Sequence, residues 1–287
     1  MERMTDATMD LVLQAPAIGA ADLGAIAALA GAQGIHVLAG ASHQAFRLPR
    51  SEPNAGVAEL CAKLGIDMAF VSSDLTRDRV RVVAMDMDST LITIECIDEI
   101  ADMVGIKPEV AAITASAMRG EIDFSESLQR RVALLSGLPI AALERVYAER
   151  LELSPGAEKM LSGFRSVGAK TLLVSGGFTF FTDQLRSRLD FDEALANTLG
   201  VSNGKLTGLV VPPIVDAHAK AEHFKLTRER HAIDGGIAIA IGDGANDLPM
   251  LKAADVSIAY RAKPLVRAQA TYAIDHCGLD AVLNLFA

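Results

Sequence analysis

The sharpest pattern along the chain is an apolar run, Val80 to Met85, that breaks into polar residues: V-R-V-V-A-M-D-M-D-S-T. A short β-branched run closing on polar positions predicts a buried parallel strand. The pattern recurs at Lys170–Val174, closing on Ser175-Gly176-Gly177, and at Ile237–Ile241, closing on Gly242-Asp243-Gly244-Ala245-Asn246-Asp247. Between and after these runs, helical spacing predicts helices over 156–166, 180–189, 217–229 and 248–253. Asn203-Gly204, inside 196–211, predicts a two-residue hairpin. Short strands at 256–259 and 271–274 and a helix over 279–286 close the chain. Parallel strands alternating with helices make this an α/β fold, a doubly wound parallel sheet.

Two segments depart from that alternation. Helical patterns over 97–104, 108–118, 124–135 and 139–151 follow the first strand directly. Four helices exceed what a crossover needs, so 95–153 reads as a cap over the strand ends. Residues 1–78 read as a separate small α+β module: strands 9–14, 35–39, 43–48 and 66–71, and helices 20–33 and 57–64. The order β-α-β-β-α-β is ferredoxin-like. It resembles ACT-type amino-acid-binding modules in order alone, and a packing or dimerisation module without ligand is an equal reading. Exposed strand edges make a homodimer through this module an expectation by analogy. Residues 72–79 are polar and read as the linker to a second unit, 79–287.

Composition narrows the class. Of 287 residues 51% are apolar, enough for a sizeable core. A net charge of −9, with no basic block, argues against nucleic acid as a partner. Cys61, Cys96 and Cys277 are scattered, which suits a reduced protein of the cytoplasm. The start, M-E-R-M-T-D, leads into no signal-like apolar core. The apolar-rich stretch 23–41 is interrupted by Gln33, His36 and several glycines, so it reads as no membrane span. A lone His36 or His43 in this region reads as a solvated or satisfied side chain.

The chemistry sits at the strand exits, where open α/β sheets hold ligands. Asp86 and Asp88, two apart, leave an extended chain on one side. Two ionised carboxylates there need a cation, and magnesium, a hard ion, prefers oxygen. Ser175 with the amides of Gly176 and Gly177 can hold anionic oxygens. Lys220, in a helix, can neutralise a phosphoryl group. Asp243 and Asp247, four apart at a helix start, could face the same metal. Singly, these read equally well as turns, caps and solvated charges. Their joint order is the signal.

The order D-x-D-S-T, S-G-G, Lys, G-D-G-x-N-D resembles the haloacid dehalogenase superfamily of aspartate-nucleophile phosphotransferases. D-M-D-S-T-L-I-T-I-E-C-I-D-E-I-A and G-E-I-D-F-S-E-S-L-Q-R-R-V-A-L-L are similar to its phosphoserine-hydrolysing branch. The resemblance runs from about Val80 to the C-terminus. It implies Asp86 as nucleophile and Asp88 as general acid and base. It implies Mg2+ held by the carboxylates of Asp86 and Asp243 and the backbone carbonyl of Asp88, with Asp247 supporting from behind. Ser175, Gly176 and Lys220 would bind phosphoryl oxygens, with Asn246 close by. In the cap, Glu95 would meet a substrate ammonium and Arg131 a carboxylate, while Met118 and Phe124 would form part of the wall that excludes water. The implied substrate is free phosphoserine, whose ammonium and carboxylate match an acid and an arginine. Arg130 points elsewhere on the helix. The rivals are a relative acting on another small phosphomonoester and an amino-acid sensor with a degenerate catalytic half.

Overall fold

In the computed structural model, which describes residues 9–40 and 42–286, the chain forms two sheets. The opening M-E-R-M-T-D and Ala41 lie outside those residues.

The larger sheet is built from the runs read above. β5 (Val80–Met85) is central, flanked by β6 (Lys170–Phe178) and β9 (Ile237–Gly242), and the order is β11-β10-β9-β5-β6-β7-β8. Here β7 is Glu193–Ser202, β8 Lys205–Val211, β10 Val256–Tyr260 and β11 Tyr272–Ile274. All neighbours are parallel except the β7–β8 hairpin, which turns at Asn203-Gly204. The chain winds from β5 to one side through β6 and β7, then crosses to the other through β9, β10 and β11. Asp86 therefore exits where the winding reverses, the place where such sheets leave a crevice.

Alternation along β5 fixes both faces. Val82 and Ala84 pack with Leu172, Val174 and the helices α9 (Ala217–His231) and α10 (Leu248–Ala253). Val83 and Met85 pack with Leu173 and the helices α7 (Ala157–Arg165) and α8 (Thr179–Leu189). The cap consists of α3 (Cys96–Met103), α4 (Lys107–Met118), α5 (Phe124–Ala133) and α6 (Ala141–Glu149). It leaves and re-enters through two paired chains: Ile92 bridges Leu153, and the Thr93 amide donates to the Glu152 carbonyl at 3.0 Å. Its α5–α6 connection is fastened to the hairpin, with Gly137 and Leu206 exchanging backbone bonds with Leu206 and Leu138 at 2.8 Å each.

The smaller sheet, order β2-β3-β1-β4, is antiparallel, with β1 Met9–Ala15, β2 His36–Val37, β3 Gln44–Leu48 and β4 Asp67–Ser72. One face buries Leu11 and Leu13 against α1 (Ala20–Leu29) and α2 (Ala55–Leu64). The other presents Val12, Ala69 and Val71 to the main core. Asp67 accepts the backbone amides of Asp275, His276 and Cys277 at 2.8 to 3.2 Å. The small sheet is thus welded to the large one.

Three expectations change. α1 ends at Leu29 rather than at 33, because Gly31 takes a left-handed turn (φ 62). β2 shrinks to two residues. Residues 279–285 form a 3-10 helix, not an α-helix. Six of those seven residues are buried, and Asp280 and Asn284 bond outward to Ser42, Lys159 and Gln14. Tertiary partners on every side favour the tighter winding. Among the described residues no helix is long and apolar enough to cross a membrane.

Candidate active site

Register sets the floor of the site. Met85 pairs with Ile241 and with Leu173, and the Asp86 amide donates to the Ile241 carbonyl at 3.0 Å. This brings Asp86 level with the Gly242-Asp243 exit of β9. Beyond Asp86 the chain turns tightly through Met87–Leu91, and Ser89 takes a left-handed conformation (φ 56). The Ser89 amide donates to the Ile94 carbonyl at 3.2 Å. Both hydroxyls of this turn orient acids: Thr90 Oγ1 donates to Asp243 Oδ1 at 3.1 Å and Ser89 Oγ to Glu95 Oε1 at 2.7 Å.

Negative charge is concentrated here. Lys220 Nζ, 1% exposed, lies 2.8 Å from Asp86 Oδ1 and 2.6 Å from Asp247 Oδ1. Asp247 Oδ2 accepts the Gly244 amide at 3.0 Å, so both its oxygens are engaged. Burial, then the charge of Asp247, pushes the Asp86 carboxyl well above its ordinary range, against the pull of Lys220. Burial and the Glu95 charge lift Asp88 to about 7, against the hydrogen bonds of Cys96. Burial and Asp247 lift Asp243 to about 6. Burial opposes the Lys220 ammonium, but Asp247 and Asp86 outweigh it and raise its pKa. One buried ammonium does not balance four carboxylates. Oxygens of Asp86, Asp243 and Asp247 lie within 4.8 Å of one another. An all-oxygen set with surplus negative charge fits a hard divalent cation.

The S-G-G exit is shaped by a register shift in β6 between Val174 and Phe178. The strand runs on through both glycines to Phe178 before α8 begins, so the helix N-terminus does not follow the glycine pair directly. Ser175 Oγ accepts the Gly177 amide at 2.8 Å. Buried Asn197 clamps the turn from behind, donating to the Gly176 carbonyl at 2.9 Å and exchanging bonds with Val215. A Cβ on Gly177 would stand 2.7 Å from Asp88 Oδ2 and 2.9 Å from Met87 Cε, so only glycine fits there.

A cavity of about 470 Å³ lies between these exits and the cap. Asp86, Asp88, Ser175, Gly176, Asp243 and Asn246 line its core side. Glu95, Phe124 and Arg131 line its cap side. A Cβ on Gly176 would sit 3.2 Å from Phe124 Cζ, so the ring closes down on the turn. Arg131 is partly buried, its Nε donating to the Ser127 carbonyl at 3.3 Å, while Arg130 turns outward to Glu126. Met118 borders the cavity but is 74% exposed, which puts it at the mouth rather than in a sealed wall. Lys220 and Asp247 lie under the floor, reaching the cavity through Asp86. Sequence reasoning missed Asn197, Cys96, Asp98 and Lys263. Asp98, one helical turn after Glu95, had a spacing that could have revealed it. Lys263, which lines the cavity with its amide donating to the Asp243 carbonyl at 3.1 Å, had none.

The family model for haloacid dehalogenase-like hydrolases matches residues 83–252, more than half of the chain. The chain belongs to that family. A domain family of unknown function matches residues 11–55. Among relatives of this haloacid dehalogenase-like chain, a phosphoserine phosphatase of Polaromonas is 49% identical over 226 residues, 77% of this chain and 96% of the relative. A haloacid dehalogenase family hydrolase of Salmonella enterica serovar Typhi superposes with a TM-score of 0.84 at 30% identity, over 97% of this chain and 98% of its own. A substrate-bound phosphoserine phosphatase superposes with a TM-score of 0.66 at 36% identity, over 72% of this chain and 99% of its own.

Proposed function

We propose that the protein is a phosphoserine phosphatase, hydrolysing free O-phospho-L-serine to serine and phosphate through an aspartyl-phosphate on Asp86. One observation carries the reading beyond the family: a single cavity is lined by the paired acids Asp86 and Asp88 and by an acid and an arginine of the cap, Glu95 and Arg131. That second pair complements an ammonium and a carboxylate on one carbon. The Polaromonas relative bears the same activity in its name, at 49% identity.

In this reading Asp86 attacks phosphorus while Asp88 gives a proton to the departing serine oxygen. Asp88, now ionised, takes a proton from the water that attacks the aspartyl-phosphate, and the cycle closes. Ser175, Gly176 and Asn246 orient the phosphoryl oxygens. Lys220 keeps Asp86 ionised from below. Phe124 and Met118 border the space that Glu95 and Arg131 give the serine end. Asp86, Asp243 and the Asp88 carbonyl would hold Mg2+, with Asp247 behind them, and the ion would supply charge neutralisation to the phosphoryl group. Residues 1–78 are read as an ACT-like packing module and 79–287 as the catalytic unit with its cap over 95–153. Pairing of two copies belongs to this reading, with β2 an edge strand of the smaller sheet. Three free buried cysteines agree with a reducing cytoplasm.

The test is a panel of phosphomonoesters with and without Mg2+, run on the unaltered chain and on Arg131→Ala. The variant is expected to lose roughly ten- to a hundredfold in kcat/KM on phosphoserine, the worth of a charged hydrogen-bonded pair. On phosphoethanolamine, which keeps the ammonium and lacks the carboxylate, it should lose little. Equal losses on both would make Arg131 structural.

Metal dependence has a pH signature. Folded Asp88 and Asp243 titrate at about 7 and about 6, against 3.8 for an ordinary carboxyl. The metal-free folded chain therefore binds more protons than the unfolded chain in that interval. Through these groups its stability falls as pH rises across it. A cation favours the ionised forms, so the rise in Tm on adding Mg2+ should grow over the same interval. Other acids shifted by their own partners, Asp192 and Asp280, cancel in this difference. A Mg2+ gain that stays flat from about pH 5 to about pH 8 would contradict a cation on these carboxylates.

A further inference from the structure

The cavity between core and cap is poor in positive charge. Five carboxylates line it, those of Asp86, Asp88, Glu95, Asp98 and Asp243, against two cations, Arg131 and Lys263. Arg131 belongs to the cap, and the reading above gives it to the substrate carboxylate. Lys220 is buried, with its ammonium engaged by Asp86 and Asp247. Lys263 is therefore the cation that the core side itself presents to the cavity.

The backbone of Lys263 is held while its side chain is free. Its amide donates to the Asp243 carbonyl at 3.1 Å, which sets the residue beside the β9 exit. Its carbonyl accepts the Val266 and Arg267 amides at 2.9 and 3.0 Å, where the short helix α11 (Pro264–Arg267) begins. The side chain is exposed, and among the described residues it has no hydrogen bond or ion pair. Neighbouring cations are committed elsewhere. Arg261 lies over Tyr260, its guanidinium carbon 5.3 Å from the ring centre, and Arg267 donates to Asp275 at 2.7 Å. A flexible stem on a fixed base lets the Lys263 ammonium meet an incoming anion.

We propose that Lys263 is a substrate-binding residue that draws the phosphate end of the substrate into the cavity. A phosphomonoester brings close to two negative charges at neutral pH. It enters a cleft lined mainly by acids, and a cation in the wall offsets their repulsion. The attraction is to the phosphate, so it does not depend on what the alcohol end carries. Arg131 differs in this respect, because its partner is the serine carboxylate. The inference rests on the phosphatase reading above, whose substrate supplies the phosphate.

A solvated charge at a helix start is the competing role. In that case the three bonds of Lys263, all main-chain, are its whole contribution, and exchanging the side chain changes nothing at the cavity.

The experiment uses the full chain and Lys263→Ala, Lys263→Glu and Lys263→Arg at saturating Mg2+. It measures kcat and KM for phosphoserine and phosphoethanolamine and the inhibition constant of inorganic phosphate, each at low and high salt, with a thermal melt of every variant. Alanine should raise KM roughly three- to tenfold on both esters and weaken phosphate inhibition by a similar factor, the worth of one exposed charged contact. Glutamate should raise both further, and arginine should stay within about twofold of the unaltered chain. The differences should shrink at high salt, which screens exposed charges. A loss of ground-state binding leaves kcat in place, so kcat should hold within about twofold throughout. Melting temperatures should match that of the unaltered chain. If Lys263→Glu does not fold, Lys263→Ala carries the comparison. Unchanged KM and phosphate inhibition in the alanine and glutamate variants would overturn the proposal. So would a loss confined to phosphoserine, a loss in kcat alone, or an arginine variant as weak as the alanine one. An unaltered chain that releases phosphate from neither ester would overturn the enzymatic reading instead, a failure visible before any variant is compared.

Discussion

Asp86→Asn is expected to abolish phosphoserine turnover, by about 10⁴-fold or more, while leaving the fold intact. The amide has nearly the shape of the carboxylate, and the backbone bond to Ile241 that places residue 86 does not involve the side chain. What is lost is the nucleophile. What remains is a buried lysine still paired with Asp247 at 2.6 Å. Because burial and the neighbouring Asp247 charge disfavour ionised Asp86, removing that charge should leave the metal-free Tm unchanged or raise it. A phosphate-release assay beside a melting curve checks both halves. Substantial turnover in the variant would remove Asp86 from the mechanism. A collapse in Tm would show its charge to be structural.

Lys220→Met separates the two functions of the buried cation. Methionine fills nearly the same volume, but Asp86 and Asp247 then face each other without a counter-charge. Breaking a buried ion cluster from one side costs about 3–5 kcal/mol, which for a chain of this size lowers Tm by roughly 10 °C. The loss should shrink at acid pH, where the stranded carboxylates can take up protons. Activity should fall by about 10³-fold, since the nucleophile loses the charge that keeps it ionised. Melts at about pH 5 and about pH 8 with an assay at neutral pH measure this. A variant as stable as the unaltered chain at both pH values, and as active in the neutral assay, would mean that Lys220 supports nothing at this site.

The fold and the candidate site differed in how much of them the sequence made legible. The strand exits were legible because a parallel strand buried on both faces is apolar throughout and turns polar only where the sheet ends. That contrast marked Asp86, Ser175 and Asp243 before any tertiary contact was known. Asn203-Gly204 marked the hairpin because few dipeptides accept its turn. Asn197 carried no such mark. It is buried, twenty-one residues beyond Gly176, and meaningful only because it bonds the glycine turn and Val215 together. Cys96 read only as one of three scattered cysteines, because its amide's contact with Asp88 depends on the tight turn between them, whose left-handed Ser89 has no sequence signature. Lys220 read as a cation for the phosphoryl group, and its pairing with both Asp86 and Asp247 had no mark in the sequence. The contact of the N-terminal layer with the large sheet carried no mark either: Asp67 gathers three amides more than two hundred residues away. Local pattern cannot encode a contact whose partners are so distant along the chain.

The most direct measurement is a crystal structure grown with Mg2+ and beryllium fluoride, a tetrahedral mimic of a phosphoryl group on a carboxylate. The account predicts the fluoride complex attached to an oxygen of Asp86, with the cation between Asp86 and Asp243 and with Asp88 Oδ2 facing the mimic. A mimic bound to any other side chain, or a crystal in which Asp86 stays bare while the mimic occupies the cavity elsewhere, would contradict it.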